Sequence, residues 1–212
     1  MKNFDMLRLV IGPLEVNCYV LCCRETGVAA VIDPGAEAGR IIGEIEARGW
    51  RPAMIINTHG HIDHVAGNSD IADHFRIPVL LHALDEPLLK SEDIFGLAPV
   101  LNARPSPPPE RLLRDGDTVM VGQVEIQVLH TPGHTPGGCC LLADVACFAG
   151  DTVFRGSVGR TDLPGGDYDT LLESIREKIL PLPDDVELFP GHGPSTTVGR
   201  EKEQNPFFRD IG

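Results

Sequence analysis

The chain has 212 residues, 42% hydrophobic and 23% charged, which is long enough to bury a core and too apolar to stay disordered. Its 18 Lys and Arg against 31 Asp and Glu give a formal net charge of −13, which repels phosphate backbones and anionic lipid. Neither a nucleic acid nor a membrane is therefore expected as a partner. Residues 1–12 hold Asp5 and only a short apolar run, too little for a signal-peptide core or a spanning segment, so a cytoplasmic location and one domain over 1–212 are expected.

Residues 7–11, 16–23 and 28–32 are short runs of Val, Ile, Leu and Cys broken by Gly-Pro, Glu-Thr-Gly and Asp-Pro-Gly turns, which predicts an antiparallel meander. Ile41, Ile42 and Ile45 then fall at helical spacing, and Ala53–Asn57 reads as an apolar strand ending at Thr58. A helix is predicted from Asp63 or Val65 to about Phe75, then a strand at Val79–His82 and a short helix near Asp85–Lys90. The stretch from Ser91 to Glu110 is rich in proline and lacks periodicity, so it is expected to be a long loop. A second block follows, with strands at 118–121, 124–129, 139–143 and 145–149, an amphipathic helix over Tyr168–Leu180 and a last strand at Val186–Phe189. The two halves share one plan of meander, helix and strand. Two sheets packed face to face with helices outside, an α+β four-layer αββα sandwich, are the predicted architecture. The six cysteines stand in apolar, strand-like runs with no Cys-x-x-Cys spacing and are expected to be buried, reduced thiols.

Three of the eight histidines fall in His59-Gly60-His61-Ile62-Asp63-His64, directly after a strand and before a helix, where ligands converge. Alternate imidazoles on an extended loop can face one metal, while Asp63 and His64 on the turn into the helix can face a neighbouring one. Three further donors, His134, Asp151 and His192, each follow a glycine at the end of an apolar strand. Glycine there permits a left-handed backbone or a close approach. Imidazole and carboxylate in this density suit zinc or iron.

The succession Thr58-His59-x-His61-x-Asp63-His64, Pro132-Gly133-His134-Thr135, Gly150-Asp151-Thr152 and Pro190-Gly191-His192-Gly193 resembles the metallo-β-lactamase superfamily in number, order and spacing over nearly the whole chain. The resemblance implies two divalent metals, zinc first with iron or manganese as alternatives. His59, His61 and His134 would hold one, Asp63, His64 and His192 the other, and Asp151 would bridge them. It also implies a bridging hydroxide as nucleophile, with Asp63 and Asp151 as the catalytic carboxylates. The stretch Gly150–Asp162, and the tail from Gly191 to Phe208, resemble glyoxalase II-like hydrolases, which implies hydrolysis of S-D-lactoylglutathione or a related acyl thioester. β-Lactamases of the superfamily commonly carry Cys or Ser in place of Asp151, so β-lactam hydrolysis is not the expected main activity. Glyoxalase II proper adds a C-terminal helical domain that grips glutathione, and the 20 residues after His192 would not hold one, so a weak grip is expected.

Two other readings compete. Persulfide dioxygenases share much of the 150–162 segment and use a single iron, and a non-catalytic metal protein would need only four ligands. Arg155 and Arg160 are candidate anchors for a substrate carboxylate, weighed against a salt bridge to Asp162 or Asp167. Asp33 is read either as a support for the metal loop or as a turn residue. His74, His82 and His130 lack the Gly-His context and are read as structural. Asn17, Cys18 and Tyr19 are expected to pack in the core. The sequence leaves a homo-oligomer open.

Overall fold

In the computed structural model, which describes residues 3–90 and 96–208, the chain builds two six-stranded sheets. The first takes β1 (Phe4–Ile11), β2 (Val16–Cys23), β3 (Val28–Ile32), β4 (Arg51–Ile56), β5 (Val79–His82) and β6 (Arg111–Leu113), side by side in chain order. Strands β1 to β3 are antiparallel, and β3 to β6 are parallel. The second sheet holds β7 (Thr118–Val121), β8 (Val124–His130), β9 (Cys139–Ala143) and β10 (Ala146–Gly150). A small hairpin of β11 (Val153–Phe154) and β12 (Ser157–Val158) stands apart, and β13 (Glu187–Pro190) and β14 (Thr196–Thr197) complete the sheet, β13 parallel to β10.

Helices α1 (Ala38–Ala47), α2 (Ile62–Val65), α3 (Asn68–Phe75) and α4 (Leu97–Leu101) belong to the first half, and α5 (Tyr168–Ser174) and α6 (Val198–Gln204) to the second. Three apolar layers separate four structural ones. Tyr19, Leu21, Ile32 and Ile56 meet Ile126, Val128, Leu141 and Phe148 between the sheets. Val20, Val31 and Ile55 pack beneath Ile41, Ile45 and Ile71 on one outer face, and Cys147 and Leu188 pack beneath Leu171, Ile175 and Ile179 on the other. The αββα sandwich is therefore the fold. Strand β2 is buried along its whole length because alternate residues serve two different cores. That explains why it reads as an unbroken apolar run rather than an alternating one. Each fully buried Ile or Leu contributes about 1.5–3 kcal/mol. All six cysteines are buried and unpaired.

The helix predicted from residue 63 or 65 to 75 is broken into α2 and α3. Gly67 donates its N–H to Pro34 O at 2.7 Å, and a Cβ at Gly67 would lie 2.5 Å from that oxygen, so the chain kinks to dock on the loop after β3. The segment expected as a helix at 85–90 is a 3₁₀ helix over Ala83–Lys90 containing Pro87, whose missing N–H disfavours an α-helix. The expected loop at 91–110 contains α4, while residues 91–95 lie outside the described residues. Among the described residues no helix is long and apolar enough to cross a membrane.

Parallel pairing is what gathers the loops. Ile32 pairs with Ile56, so Asp33 and Thr58 leave the first sheet side by side. Gly150 pairs with Pro190, so Asp151 and His192 leave the second sheet in the same way. Cys139 N–H donates to Thr58 O at 2.9 Å and ties the two sheets together at this edge.

Candidate metal centre

All seven predicted donors meet at that edge. The ligand atoms of His59, His61 and His134 lie within 4.8 Å of one another, as do those of Asp63, His64 and His192. Asp151 stands between the sets: its Oδ2 is 3.5 Å from His134 Nε2 and 3.7 Å from His192 Nε2, and its Oδ1 is 3.5 Å from His64 Nε2. Asp63 Oδ2 is 3.4 Å from His192 Nε2. The preceding glycines do what the sequence suggested. Gly133 and Gly150 have φ of 128° and 47°, and a Cβ at Gly191 would run into Asp151 Oδ1 and His64 Cε1.

The outer hydrogen bonds fix which nitrogen of each ring carries a hydrogen. A backbone carbonyl can only accept, so His134 donates from Nδ1 to Arg160 O at 2.7 Å, and His192 donates from Nδ1 to Leu14 O at 3.0 Å. Asp33 is buried and accepts from Thr58 N–H at 2.8 Å, Thr58 Oγ1 at 2.6 Å and His64 Nδ1 at 3.1 Å. Thr58 spends its single hydroxyl hydrogen on Asp33, so its oxygen accepts from His59 Nδ1 at 3.1 Å. In all four rings Nε2 is turned inward and is the nitrogen left to ligate a cation. His134 Nε2 is 3.0 Å from His61 Nδ1, which brings the fifth imidazole into the set. Asp33 is thus a support of the metal loop, holding one ring from each triad, and its φ of 51° is a left-handed conformation that Asp tolerates better than most residues.

Among the described residues, His59 Nε2, His64 Nε2 and Asp151 Oδ1 are the buried side-chain polar atoms without a hydrogen-bond partner. Each such orphan costs about 1–3 kcal/mol, and three of them facing one another are explained by cations in their midst. The donor set fits divalent metals.

The surroundings hold His59 and His61 neutral and charge His64. Burial, reinforced by neighbouring imidazoles, pushes His59 well below the ordinary histidine range and His61 down to about 4, which keeps both neutral and free to ligate. Burial also opposes charge on His64, but the carboxylates of Asp151, Asp63 and Asp33 outweigh it and hold the ring up at about 10. Without a cation this ring therefore carries a hydrogen on each nitrogen, and a cation bound at Nε2 would take the place of one of them. Burial works against ionised Asp63 too, yet His64 and His192 hold its carboxyl well below the usual range.

The remaining candidates stand elsewhere. Arg160 is exposed and binds Asp162 through two hydrogen bonds of 2.8 Å, so it serves the centre through its carbonyl rather than its guanidinium. Arg155 is exposed at the turn between β11 and β12. His74 pairs with Glu46 at 2.9 Å. His82 and His130 stack on each other with centroids 4.1 Å apart, bridging the ends of β5 and β8. Cys18 is core, but Asn17 and Tyr19 do more than pack. Asn17 Nδ2 donates to Pro190 O at 2.8 Å and Gly193 O at 2.9 Å, and Tyr19 Oη donates to Pro190 O at 2.7 Å. Arg8 adds a bond to Gly193 O at 2.9 Å. These residues cradle the turn that presents His192. Polar side chains inside the apolar run of β2 were the available signal.

With fold and donors in view, the chain belongs to the metallo-beta-lactamase superfamily, whose profile matches residues 11–192. It is a metallo-hydrolase of that superfamily, which binds divalent metals. Hydroxyacylglutathione hydrolase GloC of Haemophilus influenzae is 39% identical over 204 residues, covering 93% of this chain and 94% of that one. Among solved structures, the BLEG-1 B3 metallo-beta-lactamase superposes with a TM-score of 0.88 at 36% identity, covering 96% of this chain and 99% of its own. TTHA1623 in a di-iron-bound form gives 0.84 at 37% identity, covering 95% and 99%.

Proposed function

We propose that the chain hydrolyses acyl thioesters, with S-D-lactoylglutathione as the leading substrate, at a site holding two divalent cations, zinc before iron or manganese. The observation that carries this reading is the position of Asp151 between two complete sets of donors, each oriented by fixed outer hydrogen bonds. Similarity to the Haemophilus hydroxyacylglutathione hydrolase supports the choice of substrate. His59, His61 and His134 would hold one cation, Asp63, His64 and His192 the other, and Asp151 would touch both. When bound, such a pair lowers the pKa of water towards neutrality and polarises a carbonyl.

The chain's own residues favour a thioester over an amide. The Nδ1 hydrogens of His134 and His192 are committed to backbone carbonyls, and Asp63 is held ionised, so these groups offer no proton to a leaving group. A thiol with a pKa of about 8.5 departs as the thiolate without one, whereas an amine does not. The half-buried ring of Phe154, 6.2 Å from the ring of His192, supplies an apolar wall beside the donors.

The test is metal content per chain together with thiol release from lactoylglutathione, run beside a β-lactam and a persulfide with oxygen uptake recorded. Two metals, thioester turnover, loss on chelation and recovery on adding metal are expected. Full activity in metal-free protein, or a single iron with persulfide-dependent oxygen consumption, would overturn the proposal.

A further inference from the structure

His59 and His61 leave the first sheet and His134 leaves the second, so something must set the distance between their loops. Asp85 lies in the 3₁₀ segment directly after β5 and is fully buried. Its Oδ2 accepts the N–H of Gly60 at 2.9 Å and the hydroxyl of Thr135 at 2.7 Å, and its Oδ1 accepts the N–H of Gly137 at 2.5 Å. Gly60 sits between two of the proposed ligands, and Thr135 directly follows the third. Both loops press against this segment. A Cβ at Gly137 would lie 2.6 Å from Asp85 N, and one at Gly60 would lie 3.0 Å from Asp85 O and 2.9 Å from Leu88 Cβ.

We propose that Asp85 is a positioning residue whose carboxylate clamps the His59–His61 loop to the His134 loop and so sets the geometry of one metal triad. The inference rests on the ligand assignment proposed above. All three partners are donors, and a carboxylate, which has acceptor atoms only, suits three donors arriving from two directions. An amide of the same shape must turn its NH₂ towards at least one of them, so one loop is pushed away. The other triad, Asp63, His64 and His192, has no hydrogen bond to Asp85 and is held instead by Asp33 and the Asn17 cradle.

The test titrates metal-free wild type, Asp85→Asn, Thr135→Val and Glu201→Gln with zinc against a competing chromogenic chelator, and records the visible spectrum of each cobalt-substituted protein. Glu201 is an equally buried carboxylate, bonded to Gly156, Thr196, Arg200 and Asn205, and serves as the control for general destabilisation. Asp85→Asn is expected to weaken one of two zinc-binding steps by about 10–100-fold, to alter the cobalt spectrum, and to leave the other step unchanged. Thr135→Val, which removes one of the three bonds, should weaken the same step by less and covers the case in which Asp85→Asn does not fold. Glu201→Gln should lower Tm while keeping both steps. Wild-type zinc affinities in Asp85→Asn, an equal loss at both steps in that variant, or the same one-step loss in Glu201→Gln would overturn the clamp while leaving the functional proposal intact. A wild-type chain that binds no zinc would overturn the ligand assignment itself.

Discussion

Replacing Asp33 with Asn should separate the stability of the fold from the readiness of its metal site. The two side chains have the same shape, and in the variant the amide oxygen can keep the 2.8 Å bond from Thr58 N–H. The amide nitrogen then faces Thr58 Oγ1 and His64 Nδ1, formerly 2.6 Å and 3.1 Å from a carboxylate oxygen. It donates to both. His64 can accept only without its Nδ1 hydrogen, which leaves its remaining hydrogen on Nε2, the atom turned to the metal. Thr58, its hydroxyl hydrogen released, can donate to His59 Nδ1 at 3.1 Å, which moves the second hydrogen to Nε2 as well. One substitution thus reverses two imidazoles, one in each triad, while every hydrogen bond finds a partner. Folding should lose about 1.5–3 kcal/mol, the usual worth of a hydrogen bond to a charged group, or roughly 3–12 °C in the Tm of the metal-free protein. Metal affinity should fall by about 10–100-fold. Differential scanning calorimetry of the metal-free proteins and competitive zinc titration measure the two effects. Unchanged zinc affinity, or a collapse of Tm with affinity preserved, would refute the tautomer argument.

Asp151→Ala should reduce activity more than about a hundredfold, beyond the cost of losing an outer partner, whereas His74→Ala, exposed and paired with Glu46, should be nearly silent; equal losses by steady-state kinetics would mean the donors are misassigned. His82 is pushed down from 6.5 to about 4 by burial and by His130, against Asp115 and Asp117. Its neutral form therefore contributes stability that is fully present above pH 6.5 and is lost progressively as the pH falls from there through 4. Denaturant midpoints should decline less steeply with acid in His82→Gln, and parallel slopes would exclude the effect. With a net charge of −13 and Arg160 paired to Asp162, the grip on glutathione should be slight. Shortening the thiol portion of a lactoyl thioester should then change kcat/KM by less than about tenfold, or 1.4 kcal/mol, with Arg155→Ala and Arg160→Ala changing it little further. A loss of several orders of magnitude would reveal a dedicated thiol pocket.

Local pattern carried the parts of this fold that are locally determined. The ranges 16–23, 28–32 and 139–143 match β2, β3 and β9 residue for residue, because each is an apolar run closed by turn-forming residues. The donors were legible for a related reason, since four of them fall within six residues and the others follow glycines at strand ends. What escaped depends on distant partners. The break between α2 and α3 is imposed by Pro34. The edge strand β6 is three residues long, two of them exposed, and exists only because β5 lies beside it. Asn17 and Asp85 act on backbone atoms 173 and 25 residues away, a relation without a local signature. Arg160 was read for its charge, but the atom that matters is one that every residue carries.

The latch between the Asn17 region and the Pro190–Gly193 turn has a kinetic meaning. Its bonds close over sequence separations of 171 to 185 residues, among the last contacts that a chain of this topology can make. Interactions formed after the rate-limiting step slow unfolding without hastening folding. Cations joining His192 to donors from the first half would therefore prolong the life of the folded chain rather than speed its birth, and their withdrawal would first be felt as a shorter half-life.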